Sequence, residues 1–141
     1  MRGRLAVIGA VGALLAAVAW PAGAVGEVNA LAVGATGTVA KDGTVTLSGS
    51  YRCAPSAATG EVLVSSKLKQ GAAEQSIGGT VATCDGLDHS WTNSERADQL
   101  NAVPGPAEVE ATLLNLDMSS GLPLPQFLAV GRQSITLSQG N

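Results

Sequence analysis

Residues 53–91 read CAPSAATGEVLVSSKLKQGAAEQSIGGTVATCDGLDHSW and contain the features that decide the fold. They hold both cysteines, Cys53 and Cys84, the single histidine, His89, and the tryptophan Trp91. Two cysteines in a chain that begins with an export signal predict one structural disulfide. A redox pair or half of a metal site fits less well, because the spacing is far from C-x-x-C and the sequence has no second Cys or His cluster.

The N-terminal residues predict export from the cell. Arg2 and Arg4 precede an apolar run at residues 5–20, and residues 22–24, Ala-Gly-Ala, form a small-x-small cleavage pattern. A retained membrane anchor is the alternative, but the run is short for a bilayer span and a cleavage pattern follows it. We therefore expect a protein released to the extracellular medium in two parts: a signal peptide, residues 1–24, and one mature domain, residues 25–141.

Composition limits the classes of partner. The chain has 11 acidic and 8 basic side chains, a formal net charge of −3, and only 3% aromatic residues. An acidic chain without a basic cluster is a poor candidate for binding nucleic acid or, in its mature form, an anionic membrane. We expect no cofactor, and a partner that is an extracellular protein or a small molecule.

Alternating apolar and polar residues past residue 25 predict strands. In the clearest one, Val45, Leu47, Gly49, Tyr51 and Cys53 share one face. The other strands are predicted at residues 28–33 with an extension at 38–40, then at 62–69, 76–84, 89–92, 107–113 and 127–137.

Several segments break the alternation. Gly78-Gly79 and Leu113-Leu114 each indicate a bulge within a strand. Residues 93–106 show no alternation, and we expect an irregular segment there with one helical turn at residues 94–100, ended by Pro104-Gly105-Pro106. Residues 119–125 are predicted to be a loop with an extended path at its two prolines.

Seven short strands without an amphipathic helix predict an all-β fold, an immunoglobulin-like Greek-key β-sandwich of about seven strands. In this architecture the fifth strand pairs antiparallel with the second and begins beside its end. Cys53 ends the second strand, and the turn at residues 85–88 keeps Cys84 near the start of the fifth. We therefore expect the cysteines to meet at one end of one sheet, unlike the immunoglobulin disulfide, which joins the second and sixth strands across the core.

The sequence resembles a family of small secreted actinobacterial proteins known only as a domain of unknown function. The resemblance rests on four segments in this order: SGSYRC at 48–53, TCDG at 83–86, H-x-W at 89–91 and PGPA at 104–107. It covers about residues 28–138. It implies an exported β domain with a single disulfide, and it carries no activity, ligand or catalytic residue.

The sequence does not predict an enzyme. His89 lies near Asp85 and Asp88, but a Ser-His-Asp arrangement lacks the support of a G-x-S-x-G segment. Glu108 and Glu110 share one strand face, as expected of carboxylates that serve solubility. No metal site is expected, because the calcium-loop pattern is absent around the aspartates.

Binding is the function class that remains. The sequence favours an extracellular binding or interaction module; the alternative is a carrier of a small molecule, similar in composition to the acidic apoproteins of antibiotic chromophores, and a hydrolase comes third. If the strand face that holds His89 and Trp91 is the core, Trp91 fills the interior and His89 lies near its rim. Otherwise these two side chains, with Asp85 and Asp88, form the candidate ligand patch.

Overall fold

The computed structural model describes residues 28–140, which form eight β-strands of one open mixed sheet. The strands are β1 (Ala30–Val33), β2 (Thr36–Val39), β3 (Thr44–Arg52), β4 (Val62–Gln70), β5 (Ala73–Val81), β6 (Asp88–Arg96), β7 (Gly105–Asp117) and β8 (Leu124–Gln139). A 3₁₀ turn lies at Pro55–Ala57. The predicted all-β fold is confirmed, with eight strands instead of seven because the first predicted strand and its extension are separate strands. The predicted signal peptide lies outside the described residues.

The sheet consists of two halves joined by β2. Along the sheet the strands follow the order β1-β3-β2-β8-β7-β4-β5, and β6 pairs with β3. β2 pairs antiparallel with β3 and parallel with β8, so it belongs to both halves. The halves face each other across the core: the Asn93 side-chain amide on β6 donates to the Val64 carbonyl on β4 over 3.2 Å.

Trp91 occupies the centre of the core. Its side chain is 1% exposed, and its indole N–H donates to the Ala32 carbonyl over 3.1 Å. Gly49 lies directly opposite Trp91 on the neighbouring strand. A Cβ atom on Gly49 would lie 2.1 Å from the Ala32 carbonyl oxygen and 2.7 Å from Trp91 Nε1. Glycine at this position therefore makes the space that the indole fills.

The irregular segment predicted at residues 93–106 is confirmed for residues 97–104 and was wrong at both ends. β6 continues to Arg96, four residues beyond the predicted end at Thr92. Its inward position after Trp91 is Asn93, which is 2% exposed and is satisfied by hydrogen bonds, so the strand continues where the apolar alternation stops. The chain then turns at residues 98–101, where the Leu100 N–H donates to the Ala97 carbonyl.

Other strand ends also differ from the prediction. β5 ends at Val81, three residues before the predicted end at Cys84. β7 begins at Gly105 and includes Pro106. Of the segment Pro104-Gly105-Pro106, only Pro104 therefore lies outside the strand. β8 begins at Leu124 instead of Phe127. A proline is tolerated at the first residues of a strand, where its missing N–H removes little from the ladder.

Both predicted bulges are confirmed, although the one expected near Leu113-Leu114 lies in the neighbouring strand β8, at Leu128. Gly78 has a φ of 61°, and the pairing of β4 with β5 shifts register between Ser65 and Lys67. The pairing of β7 with β8 shifts between Leu113 and Leu114, which pair with Ala129 and Phe127 and leave the residue between those two unpaired. This second shift decides which side chains of β8 point away from the core.

Candidate functional site

The predicted disulfide joins Cys53 to Cys84 at one end of the fold. Cys53 follows β3, and Cys84 precedes β6, which pairs antiparallel with β3 along its whole length. The end of β3 and the start of β6 therefore lie side by side, as the sequence predicted. The Gly86 N–H also donates to the Cys53 carbonyl over 2.9 Å, which holds the turn after Cys84 against β3.

Asp85 and His89 meet beside the disulfide. His89 Nε2 lies 2.8 Å from Asp85 Oδ1, and the same oxygen accepts the Leu87 N–H over 2.9 Å. The Leu87 N–H, followed by the His89 side chain, holds the pKa of Asp85 below its ordinary value of 3.8. The His89 ring stacks on Tyr51 with 5.4 Å between the ring centroids, and its side chain is 31% exposed.

The other two residues of the candidate patch, Asp88 and Trp91, do not contact this pair through a hydrogen bond or an ion pair. Trp91 is buried in the core, and Asp88 forms an ion pair with Arg52 over 2.8 Å. Within residues 28–140, no group of three or more His, Cys, Asp or Glu side chains is placed to hold a metal ion. The titratable side chains described at the disulfide end thus include the Asp85–His89 pair at the rim of the core and the neighbouring Arg52–Asp88 ion pair.

A row of apolar side chains crosses four strands on what we call the outer face, the surface of β5, β4, β7 and β8 that points away from the core. The row consists of four residues in direct cross-strand register: Val81, Leu63, Leu114 and Phe127. Phe127 is 71% exposed and Val81 is 61% exposed, while the two leucines between them are half-buried. Val130, one outward position further along β8, is 46% exposed and widens the row. The chain therefore presents its only phenylalanine to solvent.

Charged side chains cover the other end of the outer face in two rows. In the first, Lys67 pairs in register with Glu110, and Glu110 pairs with Arg132. In the second, Lys69 lies between Glu74 and Glu108. Glu110 contacts both of its neighbours, with 2.7 Å to the Arg132 guanidinium and 3.9 Å to Lys67 Nζ. Positive and negative charges therefore alternate across the sheet.

An open groove of about 390 Å³ lies among these charged side chains. Its lining includes Lys67, Lys69, Glu74, Glu110 and Arg132. Sites for small molecules are typically concave and mostly apolar with a few polar groups. This groove is open and most of its lining side chains are charged, so it belongs to the charged half of the outer face and is less enclosed than a typical small-molecule pocket.

The sequence analysis missed the apolar row. Each strand taken alone gives only a weak signal, such as Leu63 on the same face as Lys67 and Lys69. Leu114 faces outward because Asn115 takes the inward position after Leu113, so the double leucine does not change the parity of β7. The row forms only when the register of four strands and the bulge in β8 bring these residues into line. Register between strands that are distant in the sequence cannot be derived from the local pattern.

Residues 27–140 match a family model described as a family of unknown function (DUF6299). The chain belongs to this family. The resemblance to a domain of unknown function noted from the sequence is thereby confirmed. The DUF6299 match spans every described residue, so the disulfide, the histidine–carboxylate pair and the outer face all lie within the family domain. No curated protein matches the chain. Among residues 28–140, no helix has the length and apolar character needed to cross a membrane.

Proposed function

We propose that this protein is an exported interaction domain that binds a protein through the apolar row of its outer face. The observation that carries the proposal is the exposure of Phe127 at the end of a row of four apolar side chains. A phenylalanine side chain buries roughly 150–250 Å² when it is covered, so most of that area is in contact with water here. Contiguous apolar surface rimmed by charged residues is typical of protein interaction sites.

Export is supported by the disulfide, because disulfides form and persist in oxidising compartments outside the cytosol. The N-terminal sequence, with Arg2 and Arg4 before an apolar run and a cleavage pattern, supports the same conclusion. The protein then acts in the extracellular medium.

We further propose that the scaffold is an immunoglobulin-like Greek-key sandwich. Three pairings support this architecture: β3 with β6, β7 between β4 and β8, and β2 parallel to β8. Such sandwiches present flat sheet faces and loops for binding while the core stays unchanged. In this protein the proposed binding site, the apolar row, lies on the outer face of the sheet.

The alternatives from the sequence have less support. A small-molecule carrier needs an enclosed, largely apolar pocket, whereas the groove on the outer face is open and lined by charges. A hydrolase would use His89 as a base, but among residues 28–140 the ring has a hydrogen bond to Asp85 and none to a serine, threonine or cysteine side chain that could act as the nucleophile. A turnover that disappears in a His89→Ala variant would favour the hydrolase over the interaction domain.

Position-specific photo-crosslinking in the secreting culture tests the proposed function. A photoreactive phenylalanine analogue replaces Phe127 in one variant and Ser48, which is exposed on β3 in the other half of the sheet, in a matched control. We expect a protein adduct from position 127 and none from position 48. Equal labelling from both positions, or no adduct from position 127, would contradict the proposal.

A further inference from the structure

We propose that the partner of the outer face is a second copy of this chain, related by a two-fold axis that runs along the strands between β4 and β7. This inference rests on the proposed function and identifies its partner. It follows from the order of the side chains across β5, β4, β7 and β8, which makes the outer face complementary to itself. A two-fold interface requires that property, because the same surface serves both subunits.

The position of the axis determines which strands face each other. Rotation by half a turn about a line between β4 and β7 places β4 over the β7 of the second copy and β5 over its β8. Residues in one cross-strand row stay in that row, because the axis runs parallel to the strands. Sheets that pack face to face keep their strands within about 30° of each other, so the rows nearest the axis remain opposed.

This arrangement pairs apolar residues with apolar residues. In the apolar row, Leu63 is in register with Leu114, and so it faces the partner's Leu114 across the interface. Val81 at one end of the row faces the partner's Phe127, which lies at the other end. The two most exposed side chains of the row, at 61% and 71%, therefore cover each other at both ends of the interface.

The same arrangement pairs opposite charges. Lys67 is in register with Glu110, and Lys69 with Glu108, so each lysine on β4 faces a glutamate on the partner's β7. Opposed charges of this kind fix the orientation of an interface and exclude wrong ones. An axis placed on β4 itself would set Lys67 against the partner's Lys67, and an axis on β7 would set Glu110 against Glu110. Of these positions, only the one between the two strands joins all four strands without a like-charged pair.

The charge balance of the outer face favours a second copy over nucleic acid or an anionic membrane as the partner. Its two charged rows contain Lys67, Lys69 and Arg132 against Glu74, Glu108 and Glu110, and thus carry no net charge. A surface for nucleic acid or for an anionic membrane carries an excess of positive charge. A neutral face with alternating signs is instead suited to an identical face.

The size of the outer face is sufficient for a stable pair. Four strands spaced about 4.8 Å apart, each rising about 3.3 Å per residue over the length of β4, span on the order of 600 Å² as a flat area. The accessible area of the side chains that cover it is larger. A standard protein interface buries about 800 Å² on each partner, so the face provides what a dimer needs.

Sedimentation of the exported protein tests the inference. We expect a dimer at about 100 µM and dissociation on dilution, because association follows mass action. Phe127→Ser should weaken association at least about thirty-fold, since it removes an apolar anchor from both subunits. The matched control is Leu87→Ser, at an apolar residue that is 59% exposed in the turn after the disulfide, and it should leave the dimer unchanged. A monomeric wild-type protein, or equal behaviour of both variants, would overturn the inference.

A charge-swap experiment tests the position of the axis. Lys67→Glu and Glu110→Lys should each weaken self-association about tenfold or more, because each places like charges opposite each other. In an equimolar mixture of the two variants, every such contact across the interface again joins opposite charges. The mixture should therefore sediment as a heterodimer, which a loss of the Lys67–Glu110 contact within one chain cannot explain. A mixture that stays monomeric would overturn the proposed axis.

The failure of this inference can be distinguished from the failure of the proposed function. If the purified protein is monomeric while position 127 crosslinks to a different protein, the outer face is an interaction site and the homodimer is wrong. If the adduct has twice the mass of the chain, the second copy is its partner. If position 127 gives no adduct, the proposed function itself is wrong.

Discussion

At the scale of single residues, Gly49 and Trp91 determine one another. The indole fills the space beside β1 because Gly49 has no side chain, and its N–H satisfies the Ala32 carbonyl. Gly49→Ala should lower the free energy of unfolding by about 1–3 kcal/mol, the usual cost of overpacking a core. Denaturation in urea measures the loss. Gly79→Ala is the matched control: its Cβ would lie 3.7 Å from the Val64 carbonyl oxygen, an ordinary contact. Equal losses in both variants would contradict this interpretation.

Also at the residue scale, three aspartates make the stability of the fold depend on pH in the acidic range. Backbone N–H groups of Thr44, Leu87 and Ser119 are the main reason that the pKa values of Asp42, Asp85 and Asp117 lie below 3.8. A carboxyl group with a lowered pKa in the folded state stabilises the fold above the unfolded value, and this stabilisation is lost as the pH falls through the folded value. The melting temperature should therefore decrease as the pH falls below about 4.

Asp85→Asn tests this acid dependence at one site. The asparagine side chain still accepts the Leu87 N–H but does not titrate, so the variant should lose less of its melting temperature between about pH 4 and pH 2 than the wild type. Differential scanning calorimetry across this range measures both proteins. Parallel curves for the two proteins would show that Asp85 does not contribute.

At the scale of elements, β6 depends on a buried polar side chain. Asn93 donates to Ser66 Oγ over 2.9 Å and to the Val64 carbonyl, and thereby joins the two halves of the sheet. Asn93→Ala leaves both acceptors without this donor in the core, so we expect a loss of about 1–3 kcal/mol in the free energy of unfolding. Thr92→Ala, at the exposed neighbouring position, should change it by about 0.5 kcal/mol or less. Urea denaturation separates the two cases, and equal effects would argue against a structural role for the amide.

A comparison of the individual strands shows which structural features the sequence could predict. Strands β3 and β4 were predictable because most of their inward positions are apolar and most of their outward positions are polar. The glycine pair marked the bulge in β5, whereas the second bulge lies in β8, opposite a double leucine that keeps the alternation of β7. The end of β6 was not predictable, since Asn93 is polar yet buried. The apolar row was missed for a different reason: Leu63 and Phe127 are 64 positions apart, and they share a row only through the register of the strands between them.

At the scale of the whole molecule, the disulfide limits the unfolded chain. It links residues 31 positions apart, and in the chain-entropy model such a loop contributes on the order of 3–4 kcal/mol. Reduction should lower the melting temperature by more than about 10 °C, since each kcal/mol corresponds to roughly 4 °C or more at this size. Thiol titration of the unfolded, unreduced protein should find no free cysteine. Two titratable thiols would contradict the bond.

The proposed export makes a final prediction about the whole chain. Cleavage after Ala24 removes residues 1–24, while the family match begins at residue 27 and β1 begins at Ala30, so processing leaves the folded domain intact. The same cleavage removes Trp20, which leaves Trp91 as the only tryptophan. The intact mass of the protein from the medium should equal that of residues 25–141 with one disulfide. A mass that retains residues 1–24 would contradict this processing.

The tryptophan emission of this protein should be blue-shifted and poorly quenched by iodide, because the remaining indole is 1% exposed. An accessible indole in a folded protein of the expected mass would contradict the burial of Trp91.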